Sequence, residues 1–209
     1  MKRLPAILLL LLALASGGCS TVRDGWTWCV GSIPVQGGRE LHVCEAKKSA
    51  LLLQKDPRWA DEPLGPTKLT LGTHGCVITS AAMACNCLSV PLTPKELNER
   101  LNKQDGYLSN GWMVWSAIPR VTEERLTASY HTLPAHRWID DALERGECPI
   151  VKYRLPQGTP HWCLVVGKDG LDYLVHDPLR DEKEPLKLAA LTRRIRAVRV
   201  IRRNVTPGE

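Results

Sequence analysis

Three residues of this chain, Cys76, His161 and Asp177, have the types and positions that nucleophilic chemistry by a thiol requires. Cys76 follows Gly75 and opens a run of small and apolar residues, which predicts a buried helix beginning at or just before the cysteine. A helix N-terminus stabilises a thiolate through its dipole and its unpaired N–H groups, and a neighbouring protonated histidine adds to this. Because the thiolate is the nucleophilic form of cysteine, Cys76 is the candidate nucleophile.

A residue count brings His161 and Asp177 together. Lys168-Asp169-Gly170 has the composition of a three-residue hairpin loop, and counting outward from it places His161 directly opposite Asp177. Cross-strand neighbours have Cβ atoms about 4.5 to 5.5 Å apart, so the carboxylate can accept a hydrogen bond from the imidazole. A two-residue loop would instead set Trp162 against Asp177. An imidazole held by a carboxylate is the base and orienting pair that nucleophilic catalysis needs.

Each of these residues alone has a simpler interpretation. An isolated cysteine in an apolar run is usually a small buried hydrophobe, and a histidine beside Trp162 is commonly a hydrogen-bonded core residue. The catalytic interpretation depends on the coincidence of a cysteine at a helix start, a hairpin that pairs His161 with Asp177, and an odd number of cysteines after export.

The elements that must position these residues follow from hydrophobic periodicity and turn signals. Helices are predicted at four places, of which the second starts with the capping box Thr93-Pro94-Lys95-Glu96: 76–88, 94–101, 112–118 and 137–145. Short runs rich in Val, Ile and Tyr then predict strands at 149–155, 161–167, 171–176 and 195–201. Helices followed by an antiparallel meander indicate an α+β fold with N-terminal helices packed on a C-terminal antiparallel sheet.

Length and composition limit the alternatives. The chain has 209 residues and a mass of 23.3 kDa, which fits one domain plus an N-terminal segment. Hydrophobic residues make up 44% and charged residues 24%, as in ordinary globular proteins. Disordered chains and polytopic membrane proteins are therefore excluded as classes.

The N-terminus has the pattern of a secretory signal. A basic start at 1–3 precedes an apolar run at 4–15, and the small residues 16–18 lead into Cys19. The run is too short for a membrane span, which needs about 20 residues. Ser16-Gly17-Gly18-Cys19 resembles a bacterial lipobox, which implies removal of residues 1–18 and diacylation of Cys19. We therefore predict a membrane-anchored lipoprotein facing the extracytoplasmic side of the cell envelope; the alternative is plain secretion after cleavage near Ala15 or Gly17.

The cysteine count favours a free thiol. The sequence holds eight cysteines, and lipidation of Cys19 leaves seven for an oxidising compartment. Cys29 and Cys44 are the best candidates for one disulfide, which would close a loop within the segment 19–50, predicted as a tether or small stapled segment. Three pairings remain open for Cys85, Cys87, Cys148 and Cys163.

A zinc site is the weaker explanation for these cysteines. Cys85 and Cys87 with His131 or His136 lack the ligand spacing of common structural zinc sites. The sequence therefore implies no metal and no organic cofactor.

The positive charge of the chain is concentrated at one end. The net charge of +6 falls to +4 without the signal segment, from 26 basic and 22 acidic residues, and six arginines lie between residues 193 and 203. No aromatic residue interrupts that run, which disfavours nucleic-acid binding. We predict that the arginines line the solvated side of a last strand, where they could meet anionic lipid or cell-wall polymer.

Several segments, in order, resemble the C39-like cysteine peptidase family of papain-like fold. They cover about residues 50 to 180 and are Gln54-Lys-Asp-Pro-Arg-Trp-Ala60, Gly75-Cys-Val-Ile-Thr-Ser-Ala-Ala-Met83, Pro94-x-x-Leu-Asn98, His161-Trp-x-Leu-Val-Val-Gly167 and Asp177-Pro178. The resemblance implies that Cys76 is the nucleophile, His161 the general base and Asp177 the orienting carboxylate. It also implies that Gln54 helps to form the oxyanion hole.

The sequence therefore predicts a lipid-anchored cysteine peptidase with its catalytic domain at residues 51–209, acting on a peptide or cell-wall peptide. Two alternatives stay open. The first is a peptidoglycan amidase or endopeptidase that uses the same triad. The second is a non-catalytic binding module, stapled by disulfides, in which Cys76 is oxidised.

Overall fold

The computed structural model describes residues 31–45 and 50–204. Within these ranges the helices are α1 (Leu71–His74), α2 (Cys76–Cys87), α3 (Pro94–Lys103), α4 (Ile118–Val121), α5 (His136–Glu144) and α6 (Leu188–Leu191), with a 3-10 helix at Trp115–Ala117. The strands are β1 (Ile33–Pro34), β2 (Gln36–Cys44), β3 (Leu126–His131), β4 (Cys148–Arg154), β5 (Pro160–His176), β6 (Leu186–Lys187), β7 (Arg194–Ile195) and β8 (Ala197–Arg203).

The main sheet has six strands and is antiparallel throughout. Its order is β2-β5-β4-β8-β3, and β6 pairs with β5 beside this path. Strands β1 and β7 form a separate two-stranded pair. Helices and an antiparallel sheet in one chain confirm the prediction of an α+β fold.

Helices α2 and α3 form for the local reasons that the sequence indicates. The small side chains of α2 let it approach the sheet closely, and the residues from Ile78 to Cys85 are all buried. At α3 the Thr93 hydroxyl accepts from the Glu96 N–H while the Glu96 carboxylate accepts from the Thr93 N–H, with Pro94 in the first turn. The predicted capping box is confirmed, and it fixes where α3 begins.

Both faces of the sheet are covered, because β5 alternates between two cores. Leu164 and Val166 lie in the core that contains α2, α3 and α4. Cys163 and Val165 lie in the second core, which α5, α6 and β1 close. The hydrophobic pattern of the sequence predicts helices but does not distinguish these two faces.

Strand β2 (Gln36–Cys44) belongs to the main sheet, although it lies within the segment predicted as a tether or small stapled segment. Strand β2 pairs with β5 from Gln36 opposite Asp172 to Cys44 opposite Gly167. The physical reason is that an unpaired edge of β5 would expose its backbone groups, and β2 satisfies them. Close approach requires glycine at Gly37, where a Cβ would lie 2.6 Å from the His136 ring.

The structure also differs from the predicted hairpin. We expected two strands separated by a loop at 168–170, but these residues pair with β2, so β5 is one continuous run. A straight strand of that length would extend roughly 55 Å. Its ends nevertheless meet through His161 and Asp177, so β5 folds back on itself. Gly170, with φ +62°, supplies the left-handed conformation that ends many hairpin loops.

Two other elements depart from the sequence prediction. The helix expected at 112–118 is a single 3-10 turn at Trp115–Ala117 followed by α4. The strand β3 was not predicted, since its sequence Leu-Thr-Ala-Ser-Tyr-His lacks an apolar run. Pairing with β8 along its whole length accounts for its formation.

Candidate active site

Cys76 is the first residue of α2 and is partly exposed. Helix α1 ends at His74, so the chain passes from α1 to α2 through Gly75 alone. A Cβ at Gly75 would lie 2.4 Å from the Leu71 carbonyl oxygen and 2.8 Å from the Leu71 Cα, so any side chain there would push the two helices apart. Glycine therefore sets the position of the thiol.

The structure places His161 in contact with Asp177. Nε2 of His161 lies 2.7 Å from Oδ1 of Asp177, and both side chains are buried. The Cys76 thiol lies within interaction range of the imidazole, since it is among the groups that raise the pKa of His161. Because Nε2 faces the carboxylate, Nδ1 is the nitrogen left for the thiol. Cys76, His161 and Asp177 thus form one continuous chain of side chains.

Asp177 has more hydrogen-bond partners than the sequence indicated. Oδ1 also accepts from the Leu179 backbone N–H at 2.8 Å, and Oδ2 accepts from the Tyr153 hydroxyl at 2.6 Å. Burial raises the pKa of Asp177, but the hydrogen bonds from His161, Tyr153 and Leu179 outweigh burial and lower it. The carboxyl group is therefore held in its charged form.

Tyr153 is a site residue that the sequence reasoning missed. It lies on β4 directly opposite His161, and its ring meets the imidazole edge to face with centroids 5.2 Å apart. The available signal was strand alternation, because a tyrosine opposite His161 on an adjacent strand shares its face. Burial raises the pKa of Tyr153, which keeps the hydroxyl protonated as a donor.

His161 is held in its charged form by the same contacts. Burial lowers the pKa of His161, but hydrogen bonds and charge interactions with Asp177 and Cys76 together outweigh burial and raise it to about 9. An imidazolium beside a thiol favours the thiolate. This arrangement supplies both a nucleophile and a proton donor.

Gln54 joins the two halves of the site. Its backbone N–H donates to the Pro178 carbonyl at 3.0 Å, and its Nε2 donates to the Gly72 carbonyl at 2.9 Å. Pro178 follows Asp177, and Gly72 lies in the helix that leads to Cys76. The side chain is buried, and its Oε1 has no hydrogen-bond partner among the described residues.

A further contact fixes α2 against β5. The Ser80 hydroxyl, one helical turn after Cys76, donates to the Trp162 carbonyl at 3.2 Å. Trp162 directly follows His161, so this bond ties the helix of the thiol to the strand of the imidazole.

His176 lies at the end of β5 but is not part of this contact chain. It is buried, and neither ring nitrogen has a hydrogen-bond partner among the described residues. Burial lowers the pKa of His176, the opposite of the shift at His161.

The other cysteines do not behave as predicted. No disulfide joins cysteines within residues 31–45 and 50–204, so the predicted pairings of Cys85, Cys87, Cys148 and Cys163 do not form there. Cys163 is separated from the other three, because it lies in the second core and they line the first. Cys87 interacts with Cys148 and raises the pKa of that thiol, and burial raises the pKa of Cys85 to about 12.

The remaining predicted sites fall partly outside the described residues. Cys19 and Cys29 lie outside them, and Cys44 is exposed on β2. His131 stacks on Trp138, and Nδ1 of His136 lies 3.0 Å from the Tyr173 hydroxyl, so neither is near Cys85 or Cys87 as a ligand pair. Across the described part of the chain, no three His, Cys, Asp or Glu side chains are grouped to hold a metal ion. None of its helices is long and apolar enough to span a bilayer.

Comparison with known proteins gives a likeness in structure but none in sequence. No protein-family model matches the chain, and no curated protein does so. The chain is similar in structure to a "putative C39-like peptidase from Bacillus anthracis", with 12% sequence identity and a TM-score of 0.47, over 79% of this chain and 100% of that one. At this degree of similarity, the function of the present chain has to be inferred from its own residues.

Proposed function

We propose that this chain is a cysteine peptidase in which Cys76 is the nucleophile, His161 the general acid and base, and Asp177 the carboxylate that orients the imidazole. The observation that carries the proposal is the position of His161. One of its ring nitrogens lies 2.7 Å from Asp177, and the imidazole lies within interaction range of a partly exposed thiol at a helix start, a contact that raises the pKa of His161.

The reaction runs in two stages. The Cys76 thiolate attacks the carbonyl carbon of a peptide bond, and the imidazolium of His161 gives its proton to the leaving amine, which yields a thioester. A water molecule then attacks the thioester while His161 takes a proton from the water. The Cys76 thiolate leaves, and the second product, a carboxylic acid, is released. The cycle uses only side chains of the chain itself.

Asp177 holds the imidazole with Nδ1 toward the thiol and stabilises its positive charge. Tyr153 and the Leu179 N–H fix the carboxylate in turn, so rotation of Asp177 would break two further hydrogen bonds. Preorganised geometry of this kind is what lets the acid and base steps proceed without rearrangement.

Gln54 is the proposed side-chain donor of the oxyanion hole, together with the Cys76 backbone N–H. An amide nitrogen carries two N–H groups, and the Gly72 carbonyl uses one of them. The bond to Gly72 therefore orients the amide beside the thiol helix while leaving a donor for the developing oxyanion.

The proposal extends to fold and location. We assign a papain-like arrangement, in which the thiol helix α2 packs on the sheet that carries His161. The N-terminal pattern supports export, with removal of residues 1–18 and a lipid anchor at Cys19. Changing Cys19→Ser should release the protein from the membrane fraction; retention of the variant there would contradict the anchor.

The experiment compares the wild-type protein with Cys76→Ala on a peptide library and on purified peptidoglycan, with products read by mass spectrometry. We expect peptide products from the wild type only. Products from peptidoglycan alone would favour the amidase or endopeptidase alternative. Equal products from both proteins, or no products from either, would contradict the proposal, and the second result would favour a binding module.

A further inference from the structure

One arginine of the basic C-terminal run is not where the sequence placed it. We predicted these arginines on the solvated side of the last strand, but Arg199 is only 7% exposed, because β8 lies between β3 and β4. Its guanidinium lies 3.7 Å from the centre of the Tyr130 ring, 5.6 Å from Trp162 and 5.9 Å from Trp115. The basic run itself has no aromatic residue, so the rings around Arg199 are supplied by β3, by β5 and by the 3-10 helix at Trp115–Ala117.

This buried cation lacks an acidic partner. Its Nη1 donates to the Val198 carbonyl at 2.7 Å and to the His131 carbonyl at 3.4 Å. Its Nε is buried without any hydrogen-bond partner in residues 31–45 and 50–204, and no carboxylate of those residues pairs with it. Aromatic faces offset part of the cost of burying a cation, but they leave the orphan N–H donor without an acceptor.

A second cation lies beside it. Lys152 pairs with Trp162 on β5 and with Ala197 on β8, two residues before Arg199, so both cations share one face of the sheet. Its Nζ is 5.6 Å from the centre of the Trp162 ring. Burial lowers the pKa of Lys152, and Arg199, Arg154 and Arg196 lower it further. No carboxylate within the described ranges forms an ion pair with Lys152.

Trp162 links the pair of cations to the proposed active site. Trp162, which contacts both, follows His161 in the chain, and its carbonyl accepts the hydrogen bond from Ser80 in the first turns of the thiol helix. Trp162 and Trp115 are each partly exposed, with ring centroids 5.7 Å apart. They therefore form a pair of aromatic rings beside the cations.

We propose that Arg199 and Lys152, walled by Trp162 and Trp115, form a subsite that binds a carboxylate of an acidic peptide substrate. The carboxylate would accept from the orphan Nε of Arg199 and from Nζ of Lys152, which satisfies both cations when substrate binds. The assignment of this carboxylate to a substrate rests on the proposed function; the binding itself does not.

Binding is therefore measured on the Cys76→Ala protein, which needs no turnover. The probes are a peptide of alternating Ala and Glu, its counterpart with Gln at each Glu, and both again with an amidated C-terminus. We expect the Glu peptide to bind at least about tenfold more tightly than the Gln peptide. A preference that depends instead on the free C-terminus assigns the site to a terminal carboxylate.

Two substitutions locate the effect. Arg199→Gln and Lys152→Gln should each remove most of the preference for Glu. Arg202→Gln makes the same charge change on the opposite face of β8, where the side chain is exposed, and should leave the preference unchanged. Lys152→Gln carries the test if thermal unfolding shows that Arg199→Gln does not fold, because Lys152 is only partly buried.

Several results would overturn the proposal. Equal affinity for the Glu and Gln peptides, or a preference that all three variants lose equally, would do so. So would tight binding of a single-stranded oligonucleotide of the same charge, which would make the patch a general polyanion site. Hydrolysis by the wild type without any Glu preference overturns the subsite alone, whereas Glu preference without hydrolysis overturns the proposed function alone.

Discussion

Two buried carboxylates organise two similar clusters in this protein, and only one cluster leads to a thiol. The Asp177 cluster consists of Asp177, His161 and Tyr153, and the Asp140 cluster consists of Asp140, Lys168 and Tyr173. In each, the carboxylate accepts from a tyrosine hydroxyl, from a nitrogen cation and from one backbone N–H, which Leu179 supplies to Asp177 and Arg39 supplies to Asp140.

The difference lies in what the cation does with its remaining donors. Lys168 uses all three N–H donors of its ammonium group inside the protein. They go to the Asp140 carboxylate at 2.8 Å, the Gly37 carbonyl at 2.7 Å and the Arg39 carbonyl at 2.5 Å. One ring nitrogen of His161 contacts the Asp177 carboxylate, and the other is left to interact with the Cys76 thiol. A buried ionic cluster is therefore structural when every N–H donor of its cation bonds to a buried acceptor of the protein. It becomes a candidate active site when one nitrogen of the cation faces a partly exposed nucleophile.

The electrostatics follow the same division. The neighbours of His161 outweigh its burial and raise its pKa to about 9. At Lys168 burial is the larger effect, so the pKa is lowered although Asp140 acts against it. The Asp140 cluster fastens β2 to α5, and the Asp177 cluster holds a proton beside a thiol.

Removal of the nucleophile or base should have the largest effect on activity. Cys76→Ala and His161→Ala should each reduce kcat/KM for peptide hydrolysis by at least about 10³, and the double variant should lose little more, because the two act as a unit. Steady-state kinetics with circular dichroism to confirm folding checks this. His176→Ala is the matched buried histidine; if it abolished hydrolysis while His161→Ala did not, the site would have to be rebuilt around His176.

The two carboxylates should separate activity from stability. Asp177→Asn should lower kcat by about 10² to 10⁴ with little change in KM, because the amide cannot stabilise the imidazolium. Asp140→Asn should instead lower the free energy of unfolding by about 3 to 5 kcal/mol, since Lys168 becomes a buried unpaired charge. Kinetics and urea unfolding measure both, and equal losses of kcat in the two variants would remove the distinction.

The pH dependence of activity should come from the Asp177 cluster. The imidazolium is present below the pKa of His161, which is about 9, and is lost above it. We expect kcat/KM to fall about tenfold per pH unit above that value, because the leaving amine loses its proton donor. The stabilisation from this charge is complete below about pH 6.5 and disappears as the pH rises through about 9. In Asp177→Asn the fall should begin at lower pH; an unchanged profile would argue against the coupling.

The smallest difference should come from the two tyrosines. Tyr153→Phe and Tyr173→Phe each remove one hydrogen bond to a buried carboxylate, worth about 1.5 to 3 kcal/mol of stability. Only Tyr153→Phe should also lower kcat, by about tenfold or less, since its carboxylate orients the imidazole. Parallel kinetics and thermal unfolding of the pair check this; a larger loss of kcat in Tyr173→Phe would reverse the assignment.

Local sequence signals predicted those helices and strands whose boundaries depend on interactions between residues close in sequence. The start of α2 after Gly75 and the capping box of α3 depend on neighbours within a few residues, so they could be inferred from the sequence. The count that placed His161 opposite Asp177 used residues close in sequence on either side of one reversal. The contact forms because β5 folds back on itself, although residues 168–170 pair with β2 and do not form a separate loop.

The features that sequence could not predict depend on partners far along the chain. Lys168 is a residue type common in loops, yet its side chain is buried against Asp140 and against carbonyl groups of β2. Those carbonyl groups lie more than 100 residues earlier in the chain. Arg199 belongs to a basic run, yet its aromatic partners come from β3, β5 and the turn at Trp115. The role of Gln54 came from resemblance alone, because nothing local indicates that it bonds to both Pro178 and Gly72.

The most direct test of the central claim, that His161 activates Cys76, is the rate at which iodoacetamide labels each cysteine at neutral pH, read by peptide mass spectrometry. In the folded wild type we expect Cys76 to react first, ahead of Cys44, although Cys44 is more exposed. Cys85, Cys148 and Cys163 should stay unlabelled because they are buried. His161→Ala should slow labelling of Cys76 by at least about tenfold and leave Cys44 unchanged. Labelling of Cys76 no faster than Cys44, or equally fast without His161, would contradict the account.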